Sequence, residues 1–364
     1  MSGMGKIPVA VLGATGSVGQ RMVALLERHP WFRLGSVTAS DRSAERAYGE
    51  AARWVLPTPM PEEAAGMEVR ATGPALEEAV LFSALDASVA GSIETDYASR
   101  GHCVVSNARN HRMDPQVPLL VPEVNPDHLD LVAGQSFGGG AIITNPNCST
   151  IGLALALAPL HDAFGVERIH VVTLQAISGA GIPGVSSLQI IDNVVPFIPG
   201  EEERIETEPL KILGQLEDGG ITPASITVSA QCNRVPVVDG HTLCVSVTLG
   251  REASAEAILG AWESFRGEPT ALGLPSAPPR PIVYVDEPDH PQPRIHRDLG
   301  NGMSAAVGRL RPCPLLGWKF VTTSHNTVRG AAGGALLCAE LAVARRAVVG
   351  LRDFDGHAGA APAN

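Results

Sequence analysis

Apolar and polar positions change their period repeatedly along the chain. "IPVAVLGATGSVGQRMVALLERHP" begins with a short apolar run containing Val9 and Val11 and passes through a glycine turn. Val18, Met22, Leu25 and Leu26 then recur at the spacing of one helix face, so the segment predicts strand, turn and helix in that order. "RLGSVTAS", "EAVLFSAL" and "CVVSNA" read as further strands with polar exits, and "SALDASVAGSIETDYASRG" leaves a strand edge and starts a helix. After Thr150, "IGLALALAPLHDAFG" predicts an apolar helix with "NCST" at its entrance. Farther on, "IHVVTLQAISGAGIPG" joins a strand to a glycine-rich loop, and "NRVPVVDGHTLCVSV" sets a turn between two strand-like runs. The early alternation of strand and helix predicts an open parallel sheet covered by helices.

Length and composition add limits to this picture. A chain of 364 residues, 45% hydrophobic, is more comfortable as two domains than as one. Its 39 glycines and 29 prolines are scattered among periodic apolar segments, which argues against disorder throughout. No apolar run approaches the roughly 18 residues of a membrane-spanning helix. The start enters a strand-like segment at once and leaves no room for a secretory signal, so a cytoplasmic protein is expected. The formal charge of -11 weighs against a nucleic-acid partner. The six cysteines are far apart, with no CxxC or HExxH, and indicate neither a disulfide scaffold nor a zinc site.

Gly13, Gly16 and Gly19 form GxxGxxG between the first strand and the first helix. A pyrophosphate needs close backbone approach and free amides at a helix start, which is what such glycines allow; a plain turn is the simpler alternative. After the second predicted strand, Asp41 can contact a ribose hydroxyl. Arg42, with Ser40 and Ser43, instead suits the extra phosphate of NADP, because guanidinium offers fixed donors to phosphate oxygens. NADP is the favoured reading, with a solvated loop as its alternative.

Cys148 stands at a predicted helix start, where the dipole favours thiolate and backbone donors can hold an oxyanion. It is a better nucleophile than Cys244, which lies in the strand-like "HTLCVSVTLG". A buried inert thiol fits Cys148 equally well on this evidence alone. Gln175 can orient a carbonyl or an imidazole, or simply support a loop. Arg234 and His241 flank one turn; the first can clamp a carboxylate and the second exchange a proton near neutral pH. Glu208 and Lys211 are three apart, one helical turn, and can meet an ammonium and a phosphate.

Together "GATGSVGQ", "TNPNCST", "QAISGAGIPGVSSLQIIDNVVPFIPGEEERIE", "RVPVVDGH" and "SHNTVRGAAGGALLCAEL" resemble the aspartate-semialdehyde dehydrogenase family, especially its archaeal and fungal branch, through essentially the full chain. The resemblance implies reversible, NADPH-dependent reduction of L-aspartyl 4-phosphate to aspartate semialdehyde and inorganic phosphate. It implies Cys148 as the acylated nucleophile, Gln175 as its positioning partner and His241 as acid/base. Arg234 would grip the alpha-carboxylate and Glu208 the alpha-amino group, with Lys211 and Arg112 on the phosphate side and Arg109 close by in the same loop. Gly13, Thr15, Gly16, Ser17, Val18, Gly19, Ser40, Arg42 and Ser43 would hold NADP, with Asn326 near nicotinamide and Arg329 and Gly330 shaping that region. No metal is required.

The fold so implied is α/β: a Rossmann-type domain over 1–147 completed by 326–364, and a second α/β domain over 148–325 with a mainly antiparallel sheet. A homodimer or homotetramer is implied, braced by "ISGAGIPGVSSLQIIDNVVPFIP", and a place in the aspartate route to lysine, threonine and methionine. Ile182, Gln189 and Phe197 depart from the usual family residues and bear on substrate fit. Two other reductases share the cysteine chemistry: an acyl-coenzyme A reductase such as malonyl-coenzyme A reductase, and N-acetyl-glutamyl-phosphate reductase. A nucleotide-binding regulator would show cofactor affinity without an acyl intermediate on Cys148.

Overall fold

The computed structural model describes residues 5–217 and 220–351. Its first sheet is parallel, in the order β3-β2-β1-β4-β5-β6. The strands are β1 Ile7–Leu12, β2 Phe32–Ala39, β3 Val69–Ala71, β4 Val80–Ser83, β5 Cys103–Ser106 and β6 Ala141–Thr144. β4, β5 and β6 are buried at every position, as expected of strands covered on both faces. The order reverses beside β1, which lies between β2 and β4. In an open α/β sheet that reversal creates the ligand crevice at the strands' carboxyl ends.

Helix α1, Ser17–Leu26, follows β1, and the buried face differs from the one the apolar spacing predicts. Gly19, Gln20, Met22, Val23 and Leu26 are buried, while Val18 and Leu25 are only half-buried. Gly19 sets this rotation: a Cβ there would come within 2.3 Å of the Gly13 carbonyl oxygen. Helix α2, Ala87–Ser99, begins at Asp86, whose side chain accepts from the Ser88 amide.

The second sheet runs β10-β7-β11-β14-β13-β12. It contains β7 Val166–Gln175, β10 Thr227–Arg234, β11 His241–Leu249, β12 Ile282–Val285, β13 Ala305–Cys313 and β14 Gly317–Ser324; β8 Gln215–Glu217 and β9 Gly220–Thr222 pair separately. The β7–β10 and β12–β13 pairings are parallel and the other three antiparallel, in line with a mainly antiparallel sheet. Helix α3, Cys148–Phe164, packs Leu153, Ala156, Leu157 and Leu160 into one core with Val171, Leu243, Val245 and Phe320. Helices α4, Glu201–Ile212, and α5, Ala255–Ser264, follow.

After β14 the chain crosses back. A π-helical turn, Val328–Ala332, leads into helix α6, Gly333–Ala344. Leu336, Leu337 and Leu341 of α6 share a core with Val9, Val11 and Phe82 of the parallel sheet. The sequence expectation that 326–364 completes the first domain covers this segment; its last part, 352–364, lies outside the described residues. Among the described residues, no helix is long and apolar enough to cross a membrane.

Candidate active site

Strand register brings the candidate residues together. β7 and β10 end side by side with Gln175 opposite Arg234, while β11 starts at His241 opposite Ser324, the end of β14. Cys148 is the first residue of α3, and the Asn147 side chain caps that helix by accepting from the Ser149 and Thr150 amides at 2.9 and 3.3 Å. Cys148 Sγ then lies 3.1 Å from His241 Nε2. Ala176, just past β7, holds two partners: its amide donates to His241 Nδ1 at 3.0 Å, and its carbonyl accepts from Arg234 Nη1 at 2.7 Å. Because that amide can only donate, Nδ1 is an acceptor and a neutral imidazole carries its proton on Nε2, facing the sulfur.

Burial is the dominant electrostatic influence. It pushes the Cys148 thiol up to about 12, reinforced by Glu201 and opposed by Arg112 and Arg234. The lowered thiol pKa expected of a helix start is therefore not found: loss of water outweighs a dipole worth at most about 2 kcal/mol. Burial, with Arg234 and His325, pushes His241 down to about 3. Both shifts favour the uncharged forms, a thiol beside a neutral imidazole.

Glu208 and Lys211 do face one side of α4, yet their groups are already engaged. Glu208 Oε1 accepts from Arg112 Nη1 at 2.9 Å and Oε2 from the Asn147 amide at 2.7 Å. A carboxylate retains further lone pairs for an ammonium. The Lys211 ammonium donates to the Arg112, Asp114 and Val117 carbonyls at 2.7, 2.7 and 2.8 Å. All three of its protons are spent on backbone, so Lys211 clamps the loop that carries Arg112 where the sequence predicts a direct phosphate contact. Burial pushes Lys211 down to about 8 against the pull of Asp114 and Glu208. Arg112 also donates to the Asn107 carbonyl. Arg109, Arg112, Arg204 and Glu208 line one cavity of about 400 Å³.

On the parallel sheet, the glycine turn stands at the carboxyl end of β1, with Gly13 at a φ of 74° and Gly16 at the start of α1. The Thr15 carbonyl accepts from Gln20 Nε2, which ties the turn to the helix. Ser17 and Val18 begin the helix, half-buried. Beyond β2, the Ser43 amide bonds to the Ser40 carbonyl in a turn that leaves Ser40 and Arg42 exposed. Asn326 Oδ1 accepts from the Gly240 amide and its Nδ2 donates to Ser178 Oγ, both at 2.8 Å. Its amide thus fastens the loop after β7 to the loop before His241.

Sequence reasoning missed several supports. Asn147 carried a readable signal, an Asn directly before a helix. Glu201 carried none that separates it from the acids beside it, yet it is buried against Asn147 and Gln175. Gly330 permits contact: a Cβ there would lie 2.6 Å from the Cys148 Cβ. Arg329, next to it, is locked to Glu123 at 2.7 and 2.6 Å.

A nucleotide-type sheet joined to a second domain whose helix start carries a cysteine touching a histidine defines a dinucleotide-linked enzyme of the phosphorylating aldehyde dehydrogenase type. The chain belongs to the aspartate-semialdehyde dehydrogenase family. Residues 8–132 match the semialdehyde dehydrogenase NAD binding domain, and residues 157–329 the semialdehyde dehydrogenase dimerisation domain. It is 51% identical over 342 residues to an aspartate-semialdehyde dehydrogenase of Methanothermobacter thermautotrophicus, covering 92% of this chain and 98% of that one. It is 47% identical over 364 residues to that of Cryptococcus neoformans, covering 94% and 98%. The crystal structure of aspartate semialdehyde dehydrogenase with NADP from Candida albicans superposes with a TM-score of 0.87 at 42% identity, covering 94% of this chain and 100% of that chain. These relatives give no support to the acyl-coenzyme A reductase reading.

Proposed function

We propose that this chain reduces L-aspartyl 4-phosphate to aspartate semialdehyde and phosphate, reversibly, through a thioester on Cys148. The observation that carries the site assignment is the 3.1 Å contact of Cys148 Sγ with His241 Nε2. The Cys148 sulfur gives up its proton as it attacks the acyl carbon, the carbon–oxygen bond to phosphate breaks, and phosphate leaves with the bonding pair and takes up that proton. When bound, NADPH supplies the hydride that reduces the thioester. His241, bearing its proton on Nε2, donates a hydrogen bond to the developing oxyanion, and the amides at the start of α3 add fixed donors. Collapse to the aldehyde then releases the sulfur. Arg234 keeps guanidinium hydrogens free after its one bond to Ala176 and grips the alpha-carboxylate. Glu208 receives the alpha-ammonium, while Arg112 serves the phosphate from a loop that Lys211 fixes. Holding the non-reacting end in this way aligns the acyl carbon with the sulfur.

The residues present fit a dinucleotide. Gly13, Thr15, Gly16, Ser17, Val18 and Gly19 form a turn in which a Cβ at Gly19 would strike backbone, and amides at the start of α1 suit a pyrophosphate. Ser40, Arg42 and Ser43 sit beyond β2 for the 2′-phosphate, which favours NADP over NAD; the Candida albicans relative holds NADP. Asn326, between the Ser178 and Gly240 loops, shapes the nicotinamide end. Arg42→Ala is expected to raise the KM for NADP about 10- to 100-fold, the loss of one or two charge-assisted hydrogen bonds, and to leave that for NAD nearly unchanged. Equal losses for both cofactors would remove Arg42 from the phosphate site.

The domain division at 147/148, with 326–364 completing the first domain, is supported by α6 sharing the parallel sheet's core. The archaeal and fungal branch is favoured by the 51% and 47% identities, against 27% to the Vibrio cholerae aspartate semialdehyde dehydrogenase II complexed with ASA. A cytoplasmic enzyme supplying lysine, threonine and methionine synthesis is the setting this activity suits. A homodimer or its tetramer is favoured by Leu188, Ile191 and Phe197, exposed at 93%, 68% and 64% in the segment before α4. Leu188→Glu is expected to shift the protein to monomer in light scattering; an unchanged mass would place the interface elsewhere.

The activity itself is tested by nicotinamide absorbance with aspartate semialdehyde, phosphate and NADP. Phosphate-dependent NADPH formation is expected. Reduction that requires coenzyme A in place of phosphate would overturn the reading.

A further inference from the structure

Glu201 opens α4 and is 4% exposed. Its Oε1 accepts from Asn147 Nδ2 at 2.8 Å and from Gln175 Nε2 at 3.1 Å, and its Oε2 accepts from Arg204 Nη1 at 2.9 Å. Three separate elements therefore converge on one buried carboxylate: the cap of α3, the end of β7 and α4 itself. Arg204 balances its charge from within α4, and Arg234 faces it from β10.

An ionised carboxylate only accepts hydrogen bonds, so it dictates which way each amide points. Asn147 must turn its NH₂ toward Glu201, and its oxygen is thereby left for the Ser149 and Thr150 amides that begin the Cys148 helix. Gln175 must do the same. Its second amide hydrogen lies on Thr173 Oγ1 at 3.2 Å, so both donors are spent. What remains at Gln175 for the reacting centre is a carbonyl oxygen.

We propose that Glu201 is a positioning residue that locks Gln175, at the end of β7, as a hydrogen-bond acceptor. Gln175 then receives a hydrogen bond from the substrate and does not donate one to the oxyanion. Oxyanion stabilisation is left to His241 and to the α3 amides. Glutamine in place of Glu201 keeps the volume but presents its own NH₂, which frees the Gln175 amide to reverse.

The inference rests on the roles given above to Cys148 and Gln175. Its test is a double-mutant cycle of Glu201→Gln and Gln175→Ala in the full-length enzyme, with melting temperatures recorded in parallel. Glu201→Gln is expected to lower kcat about 10- to 100-fold, as loss of a supporting partner does at other sites, with the KM for aspartate semialdehyde within about threefold. In the Gln175→Ala background the same change is expected to cost less than about threefold, because the group it orients is gone. Multiplying penalties, or an unchanged kcat for Glu201→Gln, would overturn the proposal, since a general structural defect acts whether or not Gln175 is present. Should Glu201→Gln not fold, Glu201→Asp replaces it: the shorter carboxylate keeps the charge and loses reach, and the same non-additivity is required. Turnover retained by Cys148→Ala would instead defeat the underlying site assignment, a separable outcome.

Discussion

Cys148→Ala is expected to lower turnover by about 10⁴-fold or more in both directions while leaving NADP affinity unchanged. Alanine cannot carry the acyl group, and loss of a covalent nucleophile is among the largest single-residue effects in catalysis. The substitution removes one sulfur from the start of α3 and touches nothing in the glycine turn after β1, so fold and dinucleotide binding should persist. Steady-state kinetics with fluorescence titration of NADPH separates the two quantities. A variant that retained more than about a hundredth of native turnover would show that hydride transfer proceeds without a thioester.

Arg329→Met is expected to destabilise the enzyme by about 3–5 kcal/mol, because it leaves the Glu123 carboxylate buried without its partner. Arg329 and Glu123 are 1% and 3% exposed and meet through two hydrogen bonds of 2.7 and 2.6 Å. The pair fastens the π-helical turn to the segment before β6, and the next residue, Gly330, rests directly against Cys148. Activity should accordingly fall together with stability. Urea denaturation of Arg329→Met beside the Glu123→Leu/Arg329→Met double variant checks the cause: the double variant should recover much of the loss, because no uncompensated charge remains. A single-variant loss below about 1 kcal/mol would mean that water reaches Glu123.

The order of elements was legible wherever local period and special residues agreed. The run from Val9 to Leu26, with its glycines between strand and helix, places a nucleotide-type turn before any contact is known, and "NCST" before an apolar run places Cys148 at a helix start. The rotation of α1 was not legible, because the approach of Gly19 to the Gly13 carbonyl is a contact between backbones and leaves no mark in the apolar spacing. Roles that depend on an isolated side chain were half legible. Arg234 and His241 flank a turn in sequence, but only the β7–β10 register brings Gln175 beside them.

Pairing among charged groups escaped the sequence altogether. Nothing in "GEEERIETEPLK" says that Glu201 and Glu208 are buried while Glu203 is exposed, or that Lys211 will spend its protons on three carbonyls. The acidity of Cys148 failed for a related reason: a helix start is visible in sequence, whereas the desolvation that overrides it belongs to the packed structure.

The most direct test of a thioester mechanism withholds the hydride donor. Enzyme mixed with L-aspartyl 4-phosphate in the absence of NADPH, quenched in acid and digested, is examined by mass spectrometry of the peptide that carries Cys148. One aspartyl group on Cys148, released as aspartate semialdehyde when NADPH is added before the quench, is the predicted result. An unmodified thiol under conditions in which complete reaction mixtures turn over would contradict covalent catalysis at Cys148.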